Sequence, residues 1–172
     1  PGTYITVGDM LYQQFGDAEV IKKQYPSMKK WAMYMAEKYT ENGLITKDKY
    51  GDWCVPPESL TLIHAKDSNR LTDGKLIATA YYYKLLSYMQ RFANLTNNKA
   101  DANYYDLLSD SIRTAFQQAF YNPKLKQYSN NTVTANLLPL YFGICPDSLR
   151  SAVFTRPIIT GCPGRSSAAG LQ

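Results

Sequence analysis

Residues 76–89 restrict the fold of this chain most, because Lys84 is the only charged side chain among them. The pattern predicts a helix that begins after an N-cap at Thr72 or Asp73 and reaches about Asn94. A helix that is apolar nearly all round must contact neighbouring elements on both sides. The chain is therefore expected to pack further helices around this one.

These further helices follow from the spacing of apolar residues and from their end signals. They are predicted at residues 4–15, 17–42, 99–121, 133–142 and from 146 onward. The first, third and fifth helices are apolar all round, whereas the second, fourth and sixth carry one apolar stripe opposite charged residues. This alternation predicts an all-α domain of two concentric layers, either an α/α toroid or a helical solenoid.

Prolines within the predicted helices indicate where these helices break. Pro26 is expected to mark a break or a new start in the second helix, and Pro139 a kink or an early end in the fifth. Pro157 is expected to interrupt the sixth helix. Residues 161–172 are small and polar without a period, which predicts an irregular tail behind a single domain of residues 1–160.

The longest stretch without a helical period is residues 49–74, which lead into the buried third helix. It contains Tyr50, Asp52, Trp53 and His64, which are the candidate substrate-binding residues. An aromatic ring beside a carboxylate on a long loop is typical of a sugar-binding or sugar-cleaving site. The polar loop before the fifth helix, residues 123–132, is expected at the same end of the domain, because it too leads into an inner helix.

Composition argues against several other classes of function. The net charge is +5, but the lysines and arginines are scattered, whereas a nucleic-acid footprint clusters them on one face. No apolar run is long enough to span a membrane. The widely spaced cysteines form neither a disulfide framework nor a metal site, so Cys54 and Cys145 are interpreted as buried thiols. Trp31 lies on the apolar stripe of the second helix and is interpreted as a core residue.

Nearly the whole chain, about residues 1–155, takes part in one family resemblance. It is carried by the segments PGTYITVGDMLYQQFGD, KYGDWCVPPE, LIHAKDSNRLTDGKLIATAYYYKLL and NNTVTANLLPLYFG. These segments resemble the catalytic domain of bacterial α-L-rhamnosidases, glycoside hydrolase family 78. The resemblance implies an (α/α)6 barrel, of which this chain supplies about half. It also implies hydrolysis of terminal α-L-rhamnosyl residues with inversion, and no cofactor.

The resemblance also assigns roles within the loop. Trp53 matches the tryptophan that lines the rhamnose pocket, and Asp52 matches the neighbouring acid that helps to shape it. The family's general acid lies in an Arg-x-Glu stretch and its general base in a Trp-Glu stretch, and neither motif occurs in this sequence. Because an inverting glycosidase needs both groups, no catalytic residue is expected within this chain, and the isolated fragment is expected to be inactive. Glu58, Asp67 and Asp73 are interpreted as solvated, turn and cap residues.

The expected partner is a rhamnose-containing oligosaccharide or glycoside, with no nucleic acid, membrane or metal. A half barrel would leave the inner faces of its first and third helices open, so self-association is also expected. The resemblance is compatible with a periplasmic or secreted enzyme, although no basic-then-apolar signal segment opens the sequence. The alternative is a non-catalytic helical-repeat module that binds protein or glycan on a tyrosine-rich face.

Overall fold

A computed structural model describes residues 2–47 and 71–160, with side chains placed as far as Thr155. Within these ranges the chain forms helices and two short antiparallel hairpins. The helices are α1 (Thr3–Phe15), α2 (Glu19–Tyr39), α3 (Gly74–Leu95), α4 (Lys99–Phe120), α5 (Val133–Tyr141) and α6 (Asp147–Thr160). The strands are β1 (Thr40–Glu41), β2 (Leu44–Ile45), β3 (Tyr121–Asn122) and β4 (Gln127–Tyr128). The predicted tail at 161–172 lies outside the described residues.

Helix α3 lies at the centre of the described structure, as its apolar sequence predicts. It packs against α1 and α5 within one layer, and against α2 and α4 in a second layer. In addition, α2 packs against α1, and α6 packs against α5. The prediction of an all-α, two-layer domain is therefore confirmed, with α1, α3 and α5 inside and α2, α4 and α6 outside.

Helices α3 and α5 run in the same direction. Just before they begin, Thr72 is hydrogen-bonded to Thr132. Further along, the Tyr81 ring meets the Phe142 ring edge to face, with centroids 5.1 Å apart. The contacts advance in step along both helices, so the amino-terminal ends of these inner helices lie at one end of the domain.

Two clusters of buried apolar side chains join the layers. The first lies between α1, α2, α3 and α4 and includes Ile5, Met28, Tyr82, Phe92 and Ile112. The second lies between α3, α4, α5 and α6 and includes Leu76, Phe116, Tyr128, Leu140 and Val153. Because each fully buried large apolar side chain contributes about 1.5–3 kcal/mol, these clusters supply the main attraction between the layers.

Each described connection from an outer helix toward an inner helix begins with a hairpin that the sequence analysis missed. Strand β1 pairs with β2 across Asn42-Gly43, whose φ angles are 51° and 78°. An Asn-Gly pair with two positive φ angles is the signature of a tight type I′ turn. The prediction that the second helix continues to Asn42 is therefore wrong, and α2 ends at Tyr39. Strands β3 and β4 form the second hairpin, where only a polar loop was predicted.

The prolines interrupt the helices less than predicted. Helix α2 continues through Pro26 and α6 continues through Pro157, so the predicted breaks are wrong. Proline fits the helical φ angle and removes one N–H donor; at Pro26 the carbonyl left without this donor belongs to Lys22, an exposed residue. Helix α5 also continues through Pro139 and ends at Tyr141, one residue before its predicted end at Phe142, so the early end predicted at Pro139 is wrong.

Candidate functional site

The candidate substrate-binding residues Tyr50, Asp52, Trp53 and His64 lie outside the described residues, within the range 48–70. The structure describes the residues on either side of this range, which end at residue 47 and resume at residue 71. Both positions lie at the end of the domain where the inner helices begin.

The return point of the loop is tied to the polar loop before α5. The Nδ2 atom of Asn130 donates a hydrogen bond of 2.8 Å to the carbonyl oxygen of Leu71. Next to this contact, the hydroxyl groups of Thr72 and Thr132 are hydrogen-bonded to each other. The prediction that both loops share one end of the domain is confirmed for these positions.

Helix α3 begins at the N-cap Asp73, whose Oδ1 atom accepts a hydrogen bond of 2.9 Å from the backbone N–H of Lys75. This confirms Asp73 as the cap and leaves the Thr72 hydroxyl to contact Thr132. Thr72 is buried, and an unpaired buried polar group costs about 1–3 kcal/mol. The contact between the two hydroxyl groups therefore favours one fixed arrangement of the two loops.

The buried side chain of Asn136 holds the polar loop through hydrogen bonds. Its Oδ1 atom accepts a hydrogen bond of 2.9 Å from the backbone N–H of Tyr128. Its Nδ2 atom donates to Oδ1 of Asn131 at 2.9 Å and to the carbonyl oxygen of Thr132 at 3.2 Å. Ser129 and Asn131 have positive φ angles of 47° and 63°, which persist only where the surroundings enforce them. The Asn136 amide contacts Asn131 directly, and the backbone N–H of Ser129 donates to the carbonyl oxygen of Phe120 at 2.7 Å.

The departure point of the loop is held by α3 and α2. The backbone N–H of Ile45 donates a hydrogen bond of 2.9 Å to Oγ1 of Thr79, and both residues are buried. The backbone N–H of Thr46 donates to the carbonyl oxygen of Tyr39 at 2.9 Å. The Lys47 ammonium lies 5.5 Å from the centroid of the Tyr39 ring. The last described residue before the loop is thus placed against α2.

A cavity of about 390 Å³ lies beside residue 47, between α1, α2 and α3. Its walls combine aromatic rings and aliphatic side chains with hydroxyl groups and one ammonium. The polar and aromatic wall residues are Thr3, Thr6, Trp31, Lys47, Tyr81 and Tyr82. The volume is within the range of small-molecule sites, and such walls suit the apolar faces and hydroxyl edges of a sugar.

The aromatic residues of this cavity differ in what they can do. Trp31 packs against the first buried cluster and also lines the cavity, so its interpretation as a core residue holds in part. The Tyr82 hydroxyl donates to the carbonyl oxygen of Ala32 at 2.7 Å, and burial raises the pKa of Tyr82, so this phenol stays neutral and supports the wall. Tyr81 is 53% exposed and is the most accessible of the three rings.

An ion pair between a buried carboxylate and a partly exposed guanidinium joins α1 to α3 within the inner layer. Asp9 is 3% exposed and pairs with Arg91, and Nε2 of Gln13 donates to Asp9 at 2.7 Å. Lys84 and Arg91 lie 4.8 and 5.7 Å from the centroid of the Tyr88 ring. This group was not predicted from the sequence. Asp9 is the only charged residue of α1, and that isolation was the available signal for a buried partner.

The described carboxylates of the interior already have partners. Besides Asp9, Asp101 at the start of α4 accepts hydrogen bonds from the Tyr25 hydroxyl at 2.8 Å and from the Lys29 ammonium at 2.6 Å. Burial acts to raise the pKa of Asp101, but the two hydrogen bonds hold that pKa below its ordinary value. No carboxylate is among the described residues that line the cavity, so these residues supply no carboxyl group that could act there as acid or base.

Other kinds of site find little support in the described ranges. No group of three or more His, Cys, Asp or Glu side chains there could hold a metal ion. Cys145 is buried, as predicted, and burial raises the pKa of its thiol. Nor does any helix in these ranges combine the length and the apolarity needed to cross a membrane. Cys54 lies outside the described residues.

A known family and known proteins are similar to most of this chain. Residues 1–166 match the family model described as the bacterial alpha-L-rhamnosidase 6 hairpin glycosidase domain. An alpha-L-rhamnosidase of Streptomyces avermitilis is 34% identical over 152 residues, which make up 88% of this chain and 13% of that protein.

Solved structures share the fold. The alpha-L-rhamnosidase from Dictyoglumus thermophilum gives a TM-score of 0.79 at 30% identity, over 91% of this chain and 17% of that chain. The Streptomyces avermitilis alpha-L-rhamnosidase complexed with L-rhamnose gives a TM-score of 0.74 at 33% identity, over 91% of this chain and 14% of that chain. The chain thus spans 13–17% of the length of these relatives. Its paired inner and outer helices correspond to half of a six-hairpin barrel.

Proposed function

The chain belongs to the bacterial α-L-rhamnosidase six-hairpin glycosidase domain family, and we propose that it supplies half the barrel of an enzyme that hydrolyses terminal α-L-rhamnosyl residues with inversion. The observation that carries this proposal is the family match over residues 1–166, together with the joined loops at the start of the inner helices. Domain boundaries at 1–160, with an irregular tail at 161–172, are part of the proposal.

The loop-bearing end of the domain is the proposed sugar-binding end. Two loops that lead into inner helices meet there, and a cavity with aromatic walls lies at the base of the longer one. Tyr50, Asp52, Trp53 and His64 are the proposed contacts with the rhamnosyl group. A flat aromatic ring stacks on the apolar face of a sugar, while carboxylate and imidazole groups accept or donate hydrogen bonds at its hydroxyls.

The catalytic acid and base are proposed to come from parts of the protein that this sequence does not contain. An inverting glycosidase needs a carboxylic acid and a carboxylate about 6.5–9.5 Å apart, with room for the attacking water. The described cavity walls contain no carboxyl group. The role of this chain is therefore to bind and orient the sugar, and the proposed substrate is a rhamnose-containing oligosaccharide or glycoside.

The same architecture leads to a proposal for the chain on its own. Apolar side chains are exposed along α1 at one edge and along α5 and α6 at the other. These side chains are Tyr4, Val7, Met10, Leu137, Tyr141 and Phe154. In a six-hairpin barrel, further hairpins would cover such edges. Isolated chains are proposed to self-associate through them, because exposed apolar patches of this kind favour association.

The proposed function is tested with the complete gene product that contains this sequence and with the isolated 172-residue chain. On p-nitrophenyl α-L-rhamnoside, the complete product is expected to turn over and the isolated chain is not. In the complete product, Trp53→Ala is expected to lower kcat/KM by about 5- to 150-fold, because a stacking contact of about 1–3 kcal/mol is lost. Leu107→Ala serves as the control, since Leu107 is 71% exposed on α4.

Two results would overturn parts of this proposal. A complete gene product that binds a rhamnoside or another glycan without cleaving it would indicate the helical-repeat binding module instead. Turnover by the isolated chain that disappears in Asp52→Asn would show that this sequence carries its own catalytic carboxylate.

A further inference from the structure

We propose that Thr72 and Thr132 are positioning residues, whose hydroxyl–hydroxyl hydrogen bond sets the spacing between the two loops at the sugar-binding end. This inference rests on the proposed function of that end. The bond joins the residue two positions before α3 to the N-cap of α5, so it connects two inner helices at the ends from which the loops emerge. Asn130 adds a parallel bond to Leu71.

Thr132 is suited to this part because its hydroxyl serves two contacts at once. Its Oγ1 atom accepts a hydrogen bond of 3.1 Å from the backbone N–H of Ala135, which caps α5, and it also meets the Thr72 hydroxyl. A hydroxyl group has one donor and two acceptor positions, so both contacts fit. The distance between the two loop ends is thereby coupled to the position of the first turn of α5.

Strain in the polar loop indicates that this arrangement is imposed by its surroundings. Lys126, Ser129 and Asn131 all have positive φ angles, of 51°, 47° and 63°. For residues other than glycine this conformation costs about 1–2 kcal/mol each. Strained backbone of this kind concentrates at functional sites, where neighbouring contacts hold it in place. The contacts of Thr132 and Asn136 help to hold this loop, together with the backbone hydrogen bonds of Ser129 and Asn131.

The fold itself does not depend on the bond between the two threonines. Farther along, α3 and α5 are joined by buried apolar residues, including Leu76, Ala80, Ala135 and Leu140. Loss of one hydroxyl contact leaves this packing in place. A change at Thr72 should therefore move the loop ends relative to each other while the helices stay together.

The test is Thr72→Val in the complete gene product, which removes the hydroxyl, keeps the shape and leaves the Thr132 cap intact. The value of KM for an aryl rhamnoside is expected to rise about tenfold, since a small misplacement of binding groups has effects of this order. Thr72→Ser is expected to restore the wild-type value. The matched control is Thr96→Val, which removes a hydroxyl bonded to the Phe92 carbonyl at 2.8 Å near the opposite end of α3.

A second readout does not depend on activity. The backbone N–H groups of Ser129 and Asn131 are hydrogen-bonded to Phe120 and Tyr128 at 2.7 and 3.0 Å. In Thr72→Val, hydrogen exchange at residues 129–132 is expected to accelerate at least several-fold, while exchange within α3 and α5 stays as in Thr96→Val.

The outcomes separate this inference from the proposed function. An inactive wild-type gene product would overturn the rhamnosidase proposal and leave the exchange measurement to decide on the threonine pair. Unchanged exchange at residues 129–132 in Thr72→Val, or a KM shift that Thr96→Val reproduces, would overturn the positioning role.

Discussion

The backbone N–H of Tyr128 donates a hydrogen bond of 2.9 Å to the buried side chain of Asn136, at the point where the second hairpin meets α5. The first hairpin meets α3 in the same way, since the backbone N–H of Ile45 donates to the buried Thr79 hydroxyl at 2.9 Å. In both cases the final residue of the hairpin is buried, and its backbone N–H is hydrogen-bonded to a polar side chain in the first turns of an inner helix. Each loop at the candidate site is therefore preceded by the same anchoring contact.

The two anchors are expected to differ in their contribution to stability. Asn136→Leu should lower the free energy of unfolding by about 3 kcal/mol or more, because the Tyr128 N–H loses its acceptor and two further hydrogen bonds of Asn136 disappear. Thr79→Val should cost about 1–3 kcal/mol, since only the Ile45 N–H loses its partner. Urea denaturation followed by circular dichroism measures both. A smaller loss for Asn136→Leu than for Thr79→Val would contradict this account.

The turn of the first hairpin allows a test with a matched pair of glycines. Gly43 and Gly143 have φ angles of 78° and 77°, so alanine at either position costs about 1 kcal/mol or more of backbone strain. A Cβ atom at Gly43 would also lie 2.7 Å from Cβ of Ala115 on α4, whereas one at Gly143 meets nothing within 4 Å. Gly43→Ala should therefore lose about 1–3 kcal/mol more than Gly143→Ala in thermal unfolding. Equal losses would show that the hairpin can move away from α4.

Much of the fold could be predicted because its signals are local. The single charge in residues 76–89 predicted a helix enclosed on both sides, and α3 is the central helix. The cap at Asp73 was predicted from the residue type and its position. The two hairpins were missed because strands of two residues are too short to show an alternating pattern. Only Asn42-Gly43 signalled one of them.

The candidate site could be predicted less well, because its contacts join residues that are distant in the sequence. Nothing local in the sequence indicates that Thr72 meets Thr132, or that Asp9 meets Arg91. What could be predicted was that both loops lead into inner helices and so share one end. The residues that connect these loops had been interpreted only as caps or loop residues.

The stability of the chain is expected to depend on the ionisation of Asp101. Hydrogen bonds from Tyr25 and Lys29 stabilise the charged carboxylate and lower its pKa from the ordinary 3.8. A carboxyl group whose pKa is lower in the folded state adds stability above its unfolded pKa and loses it as the pH falls through the folded value. Asp101→Asn should therefore cost about 1 kcal/mol between pH 5 and 7, and the difference should shrink below about pH 4.

Urea denaturation across this pH range checks the prediction. Asp110→Asn is the control, because the pair of Asp110 with Arg113 is exposed and should change stability by less than about 0.5 kcal/mol. A difference between wild type and Asp101→Asn that stays constant down to pH 3 would indicate that the carboxylate charge has no part in joining α2 to α4.

The exposed edges predict the behaviour of the isolated chain in solution. Leu137 and Phe154 line an apolar groove between α5 and α6, together with Tyr141, which is 82% exposed. Sedimentation velocity is expected to show dimers or larger species at tens of micromolar, because adjoining exposed apolar side chains favour association. The double variant Leu137→Lys with Phe154→Lys should shift the distribution toward monomer.

Leu107→Lys provides the comparison that separates edge contacts from general hydrophobicity. Leu107 is 71% exposed, but it lies on the outer helix α4 next to Asp106 and near Asp110, so charged side chains flank it. Its replacement should leave the sedimentation profile unchanged, since a single exposed apolar side chain is common on monomers. If the wild type and all variants sediment as one stable monomer, the exposed apolar edges do not cause association, and the prediction is wrong.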